Sequence, residues 1–106
     1  MDEVSAFLAE VVTRFRPEAA QGLRAICQIE LAGEGGGVWH LIIAAQRCDL
    51  ACGRAQRPDV AVMMSVGDWN ELVAGRLDPF SAYLSGRLQI AGDLSLATRL
   101  PSLFGL

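Results

Sequence analysis

The 106-residue chain is 52% hydrophobic and carries nine basic against twelve acidic side chains, for a net charge of −3. That length supports one domain over 1–106 with one core, and the apolar surplus over an ordinary soluble domain has three destinations: a dense core, an interface between chains, or a cavity for an apolar ligand. Every basic residue is an arginine and the arginines are scattered, which excludes a basic stripe for nucleic acid; the longest apolar run, 38–45, is interrupted by His40 and falls far short of the roughly 18 residues of a membrane-spanning helix.

The first predicted element is an amphipathic helix over 2–16. Val4, Phe7, Leu8, Val11, Val12 and Phe15 recur at three- and four-residue spacing and form one apolar face. Asp2 can cap it and Pro17 stops it. The acidic start "MDEVS" lacks the basic n-region of a secretory leader, so a cytoplasmic location is expected. "PEAAQG" (17–22) suggests one more turn of helix, with proline in the first position and glycine after the end.

A run of strands follows. In "CQIEL" (27–31), Cys27, Ile29 and Leu31 alternate with Gln28 and Glu30, the period of a half-buried strand. "GEGGG" (33–37) is a hairpin loop. "VWHLIIAA" (38–45) is a second strand, apolar on both faces, "CDLAC" (48–52) a third, and "GRAQRP" (53–58) a loop. "DVAVMMS" (59–65) is a fourth, with Val60, Val62 and Met64 on one face.

Ser65 then caps a helix, with Asp68 three residues on. Trp69, Leu72 and Val73 give that helix an inner face, and Gly75 sits where a left-handed terminator belongs. "DPFSAYLSG" (78–86) is a short helix with Phe80, Tyr83 and Leu84 as its apolar side. "RLQIAG" (87–92) is a fifth strand with Leu88 and Ile90 inward. Asp93 caps the last helix, which carries Leu96, Ala97, Leu100, Leu103 and Phe104 and which Pro101 should end or kink. The order α-ββββ-αα-β-α, with short links between strands, predicts an α+β domain: a five-stranded, mainly antiparallel sheet with helices on one face.

The segment 59–104 resembles the sterol carrier protein type 2 domain family. An apolar strand ends in Met64–Ser65, and Asp68–Trp69 open a helix. Gly75-Arg76-Leu77-x-Pro79 and Ala82–Tyr83 follow. Gly86-Arg87-Leu88-x-Ile90-x-Gly92-Asp93 then leads into a leucine-rich helix. Order and spacing fit without a gap, and the N-terminal half agrees in pattern. The resemblance implies a tunnel between sheet and helices that carries a lipid-like ligand (sterol, fatty acid or fatty acyl-CoA) without catalysis or cofactor. It also implies an alternative: an accessory or scaffold subunit in lipid or isoprenoid-quinone biosynthesis. The end "FGL" is not a peroxisomal tripeptide, so a free-standing bacterial-type member is expected.

Within that picture the apolar cavity candidates are Ile29 and Leu41 from the sheet, Met64 and Leu88 at strand ends, and Trp69, Leu72, Tyr83, Leu84, Leu100 and Phe104 from the helices. Trp69 and Met64 suit a cavity wall and a plain core alike. Tyr83 can bond backbone or fix a ligand's polar end. Arg76 and Arg87 are head-group candidates, or cations complementing helix ends. A terminal "SLFGL" loosened by Pro101 would serve as a lid.

Other chemistry is weakly supported. Cys27, Cys48 and Cys52 have no zinc-like spacing, and His40 is the one histidine, so neither a metal nor a disulfide is expected. Strand parity sends His40 away from Cys27, against a nucleophile–base pair. Asp68 and Glu71 read as a solvated helix face. Val38, Ile42 and Met63 fall on the helix-free sheet face, which predicts a homodimer or an enzyme partner docked there.

Overall fold

The computed structural model describes the backbone of residues 3–105 and side chains from residue 8 onward. Helix α1 spans Glu3–Thr13, and a single 3-10 turn follows at Pro17–Ala20. Strands β1 (Ala25–Ala32), β2 (Gly37–Ala44), β3 (Arg47–Cys52) and β4 (Val60–Ser65) come next. Helices α2 (Val66–Val73) and α3 (Pro79–Leu84), strand β5 (Gln89–Gly92) and helix α4 (Leu94–Phe104) complete the chain. The Asp2 cap and the packing of Val4 and Phe7 lie outside the described residues; Leu8 and Val11 are buried as their spacing predicts.

The five strands form one sheet in the order β3-β2-β1-β4-β5. Three pairings are antiparallel, and the β1–β4 pairing is parallel, with Ile29 beside Val62. Parity sorts the residues as foreseen. Cys27, Ile29, Leu31, Trp39, Leu41, Ile43, Val60 and Met64 are buried under the helices. Val38 and His40 are half-buried on the other face, and Ile42 is 38% exposed.

That other face is not bare. Placing β4 beside β1 forces the β3–β4 connection to cross both β2 and β1. The crossing segment, 53–59, runs over the helix-free side and is tied down by polar contacts. Gln28, 4% exposed, accepts from the Ala55 amide at 3.0 Å and donates to Glu30 at 3.0 Å. Arg54 donates to the same Glu30 at 3.0 Å, and His40 Nδ1 lies 2.8 Å from the Gly53 carbonyl. Asp59 closes the strap: its Oδ2 accepts from the Ile26 amide at 2.7 Å, and its own amide donates to the Ile26 carbonyl at 2.8 Å.

Several boundaries differ from expectation for local reasons. Helix α1 stops at Thr13, and the Arg14 and Phe15 amides bond only three residues back, because Pro17 disfavours helix just before it. β2 and β3 are joined by a two-residue turn at Ala45 and Gln46, with φ of 52° and 58°. This is the left-handed pair a tight hairpin requires, without the usual Asn-Gly letters. β5 is shorter than 87–92 because the Arg87 and Leu88 amides both bond the Ala82 carbonyl, finishing α3 instead of pairing. Gly92 has φ +97°, and a Cβ there would lie 2.5 Å from the Asp59 carbonyl oxygen, so only glycine fits.

Pro101 neither ends nor frays α4. The helix continues to Phe104 and closes on Gly105 in a left-handed cap. Proline lacks the N–H that would bond the Ala97 carbonyl. Burial offsets that loss: Leu103 is 1% exposed, its carbonyl accepts from the Arg16 amide at 2.8 Å, and the Phe104 ring sits 5.7 Å from that of Phe15. The terminal turn is therefore pinned to α1's end and is not a loose lid. Leu103→Ala should lower stability by about 2–5 kcal/mol, the usual cost of a large-to-small core change. Urea denaturation measures it, and an unchanged midpoint would mean that the last turn is not packed.

Candidate ligand cavity

Between the sheet and the helices lies a cavity of about 90 Å³. Its floor is the helix-facing register of the sheet: Cys27 and Ile29 on β1, Leu41 on β2, Val62 and Met64 on β4, Ile90 on β5. These positions recur at a spacing of two, so each strand delivers alternate side chains to the same layer. The roof is Val11 of α1, Trp69 and Leu72 of α2, Pro79 of α3, and Ala97, Leu100, Pro101 and Phe104 of α4, with Leu88 at the end of α3's terminating turn. Trp69 and Leu72 share the inner side of α2 because they are three residues apart, with Ser65 capping the helix by accepting from the Asp68 amide at 3.0 Å.

Of the sequence-derived candidates, Ile29, Leu41, Met64, Trp69, Leu72, Leu88, Leu100 and Phe104 meet at this wall. Tyr83 and Leu84 do not: they are 41% and 69% exposed, as is Phe80 at 69%. Helix α3 has only six residues, and its inward positions are Pro79 and Ala82, the latter fully buried. Its larger apolar side therefore faces solvent, the reverse of the amphipathic reading. Val11, Cys27, Val62, Pro79, Ile90, Ala97 and Pro101 complete the wall. Strand parity alone could have supplied Cys27, Val62 and Ile90; the α3 and α4 contributions needed the tertiary arrangement.

Two of the residues that form the wall, Cys27 and Trp69, carry a polar group, although almost none of the wall's surface is polar. Burial pushes the Cys27 thiol up to about 12, with Cys48 and Asp59 adding smaller contributions of the same sign. Cys48 rises to about 11, again through burial first and Asp49 second. Both stay protonated and unreactive at neutral pH. All three cysteines are free. Trp69 is 4% exposed, and its Nε1–H has no hydrogen-bond acceptor among the described residues. An unpaired buried donor of this kind costs about 1–3 kcal/mol. The Asn70 side-chain oxygen next to it is also unpaired.

Arg76 and Arg87 lie outside the cavity wall, each paired with a carboxylate of α2. Arg76 Nε donates to Glu71 at 2.7 Å. Arg87 donates to Asp68 Oδ1 through two nitrogens, at 2.6 and 3.1 Å. The Arg87 guanidinium holds the Asp68 carboxyl below its ordinary range. These cations thus serve the α2 carboxylates rather than helix C-termini. Arg87 and Asp68 also border an open groove of about 540 Å³ at the end of the sheet, with Glu30, Val38, Met63 and Gln89. Met64 belongs to both walls. Among the described residues no three His, Cys, Asp or Glu side chains cluster as metal ligands, and no helix is long and apolar enough to cross a membrane.

Comparison with known proteins extends this picture. Residues 8–105 match the SCP-2 sterol transfer family. Hydroxysteroid dehydrogenase-like protein 2 of Mus musculus is 34% identical over 87 residues, which cover 81% of this chain and 18% of that protein. The bovine protein of that name gives 33% identity over 81% of this chain and 21% of its own length. The chain thus spans about a fifth of these curated relatives. Among solved structures, the palmitated SCP2L2 of Aedes aegypti superposes with a TM-score of 0.79 at 20% identity, covering 97% of this chain and 95% of that one. The sec-alkylsulfatase Pisa1 of Pseudomonas sp. matches with a TM-score of 0.73 at 20% identity, over 91% of this chain but 15% of that chain.

The buried thiol makes stability depend on alkaline pH. An unfolded cysteine ionises near 9.0, whereas folded Cys27 holds its proton to about 12. The folded state therefore binds more protons across that interval, and the stabilisation present below pH 9 is lost as pH rises through it. The chain has no lysine to obscure the effect. Cys27→Ala should flatten the fall by up to about 1.4 kcal/mol per pH unit. Urea midpoints taken on either side of that window measure it, and parallel curves for the two proteins would refute the assignment.

Proposed function

The chain belongs to the SCP-2 sterol transfer family, and on that footing we propose that it binds and carries a lipid-like ligand of the sterol, fatty acid or fatty acyl chain class, acting as one domain and without a chemical step. The observation that carries the reading is the cavity between sheet and helices, walled almost entirely by hydrocarbon and aromatic side chains. A void of about 90 Å³ with so few polar partners is a space that water gains little by entering. Transfer of apolar ligand surface into it gains roughly 25 cal/mol per Å².

The cavity is several-fold smaller than the roughly 300–1,000 Å³ of a ligand-sized pocket. Loading therefore requires the wall to yield. Met64 is the natural place: it is unbranched and flexible, and it lines both the cavity and the open groove. A chain entering from the groove would displace Met64 and spread α4 from the sheet, where Pro101 already removes one helical hydrogen bond. Arg87 stands at that groove, and a head group contacting it has to compete with Asp68; Arg76, held by Glu71, is the lesser candidate.

A binding role without catalysis suits the polar inventory. The Cys27 thiol is held protonated, and His40 lies on the opposite face of the sheet, engaged with Gly53. A second reading rests on the relatives: a segment that amounts to a fifth of a longer chain suits an accessory module that presents a greasy substrate to a linked or partner enzyme. Under that reading the partner docks on the helix-free face beside Val38 and Ile42.

Filling the cavity separates carriage from scaffolding. Val62→Phe puts a ring into the void from the sheet side and should weaken binding of a fluorescent fatty acyl probe at least tenfold while leaving the fold intact. Probe titration and far-ultraviolet circular dichroism read the two quantities. Unaltered binding in a folded variant would place the ligand elsewhere, and no binding by the parent protein to any sterol, fatty acid or acyl-CoA would remove the carrier reading.

A further inference from the structure

We infer that helix α3 docks the protein on a zwitterionic lipid bilayer, with Phe80, Tyr83 and Leu84 entering the boundary between head groups and acyl chains. The choice of a membrane as the partner rests on the lipid-binding reading. The inference adds where the protein meets the surface from which such a ligand is drawn.

Helix α3 turns its larger apolar side chains to solvent: Phe80, Tyr83 and Leu84 are all exposed. They stand at three- and four-residue spacing and so share one face of the helix. Residues 79–86 hold no charged side chain, so that face can leave water without stripping an ion. The Asp78 carboxylate just before it is engaged as a cap, accepting from the Ser81 amide at 2.9 Å. Tyr83 adds the ring-and-hydroxyl character that favours the head-group level of a bilayer. The inward side of the same helix carries Pro79, a wall residue of the cavity. Helix α3 thus has the ligand space on one side and the uncovered apolar patch on the other.

Area and charge select the occupant. At their observed exposures the three side chains offer roughly 350 Å², taking a large apolar residue at roughly 150–250 Å² in full. A stable interface between two chains takes about 800 Å² from each, so the patch is too small to hold a second copy. Shallow entry into a bilayer needs no matching surface. The cations that flank α3 are both taken, Arg76 by Glu71 and Arg87 by Asp68, and the whole chain carries a net charge of −3. Adhesion to anionic lipid draws on clusters of uncommitted Lys and Arg, which this helix lacks. A zwitterionic surface, held by apolar contact, is the one that fits.

Flotation with phosphatidylcholine vesicles tests the surface, and a fluorescent fatty acyl probe in free solution reads the cavity separately. The double variant Phe80→Ser, Leu84→Ser should lose vesicle binding by roughly tenfold or more, since these two side chains supply most of the apolar area that enters the lipid. Its probe affinity should match the parent's. Phosphatidylserine mixed into the vesicles should add nothing; a marked gain would make charge the source of binding and overturn the inference. In the unmodified protein on phosphatidylcholine bicelles carrying a nitroxide lipid, the amide resonances of 80–84 should be the ones broadened. That measurement decides the matter even if the double variant does not fold, and broadening centred elsewhere overturns the inference. Equal vesicle binding by variant and parent overturns it too. A parent that takes up the probe but stays off vesicles leaves the carrier reading standing and gives the face to a protein partner, or to a second copy if the double variant abolishes self-association. A parent that binds vesicles but not the probe keeps the docking face and loses the carrier reading.

Discussion

The parallel pairing of β1 with β4 governs the rest of the molecule. With β4 on the far side of β1 from β2, the chain leaving β3 at the sheet's edge must cross two strands to reach its place. It crosses on one face only, held there by the Gln28 amide, His40 and Asp59. That face is thereby closed to helices, so all four helices pack on the other. The two faces of one sheet acquire different jobs. One carries a polar strap; the other forms the floor of an apolar layer whose side chains arrive in register from four strands.

The geometry of that layer explains why a void persists. Helices α2 and α4 bring large side chains to the roof, whereas α3 contributes only Pro79 and a buried alanine. Packing at ordinary interior density would close a gap this size, yet no side chain fills it, and the buried indole donor of Trp69 is left unpaired. Both features go against stability. Local departures from the rules of a well-packed, fully bonded interior are where function is expected to reside. Here Trp69 takes part in both, as a wall residue of the void and as the holder of the unpaired donor, and α4 is already short of one hydrogen bond at Pro101.

Much of this was legible in the sequence because period and caps speak locally. Alternation located β1 and β4, Ser65 and Asp93 announced the starts of α2 and α4, and their side chains accept from amides three residues on as that signature requires, as Asp78 does for α3. The doubled Gly-Arg-Leu at 75–77 and 86–88 is two helix terminations, with Gly75 and Gly86 both at positive φ. What failed to read did so because it depends on distant partners. An apolar side on α3 does not say which way a six-residue helix will roll, and Phe80, Tyr83 and Leu84 face water. Pro101 was read as an end or a kink, and the helix does not end there because the burial of Leu103 and Phe104 is a tertiary fact. Arg76 and Arg87 looked like helix-end cations because nothing local reveals that each reaches back to a carboxylate of α2.

The edges of the sheet carry a last consequence. β3 and β5 are the outer strands, and each exposes unpaired backbone that another chain could extend. β5 offers only four residues, one of them Gly92. β3 is longer, but it presents Arg47 and Asp49 to solvent, and Asp49 sits directly across from Ile42, the exposed apolar residue of β2. A second sheet adding at that edge would have to strip water from both charges before gaining contact with the isoleucine. Short, charged margins of this kind guard against strand-to-strand aggregation.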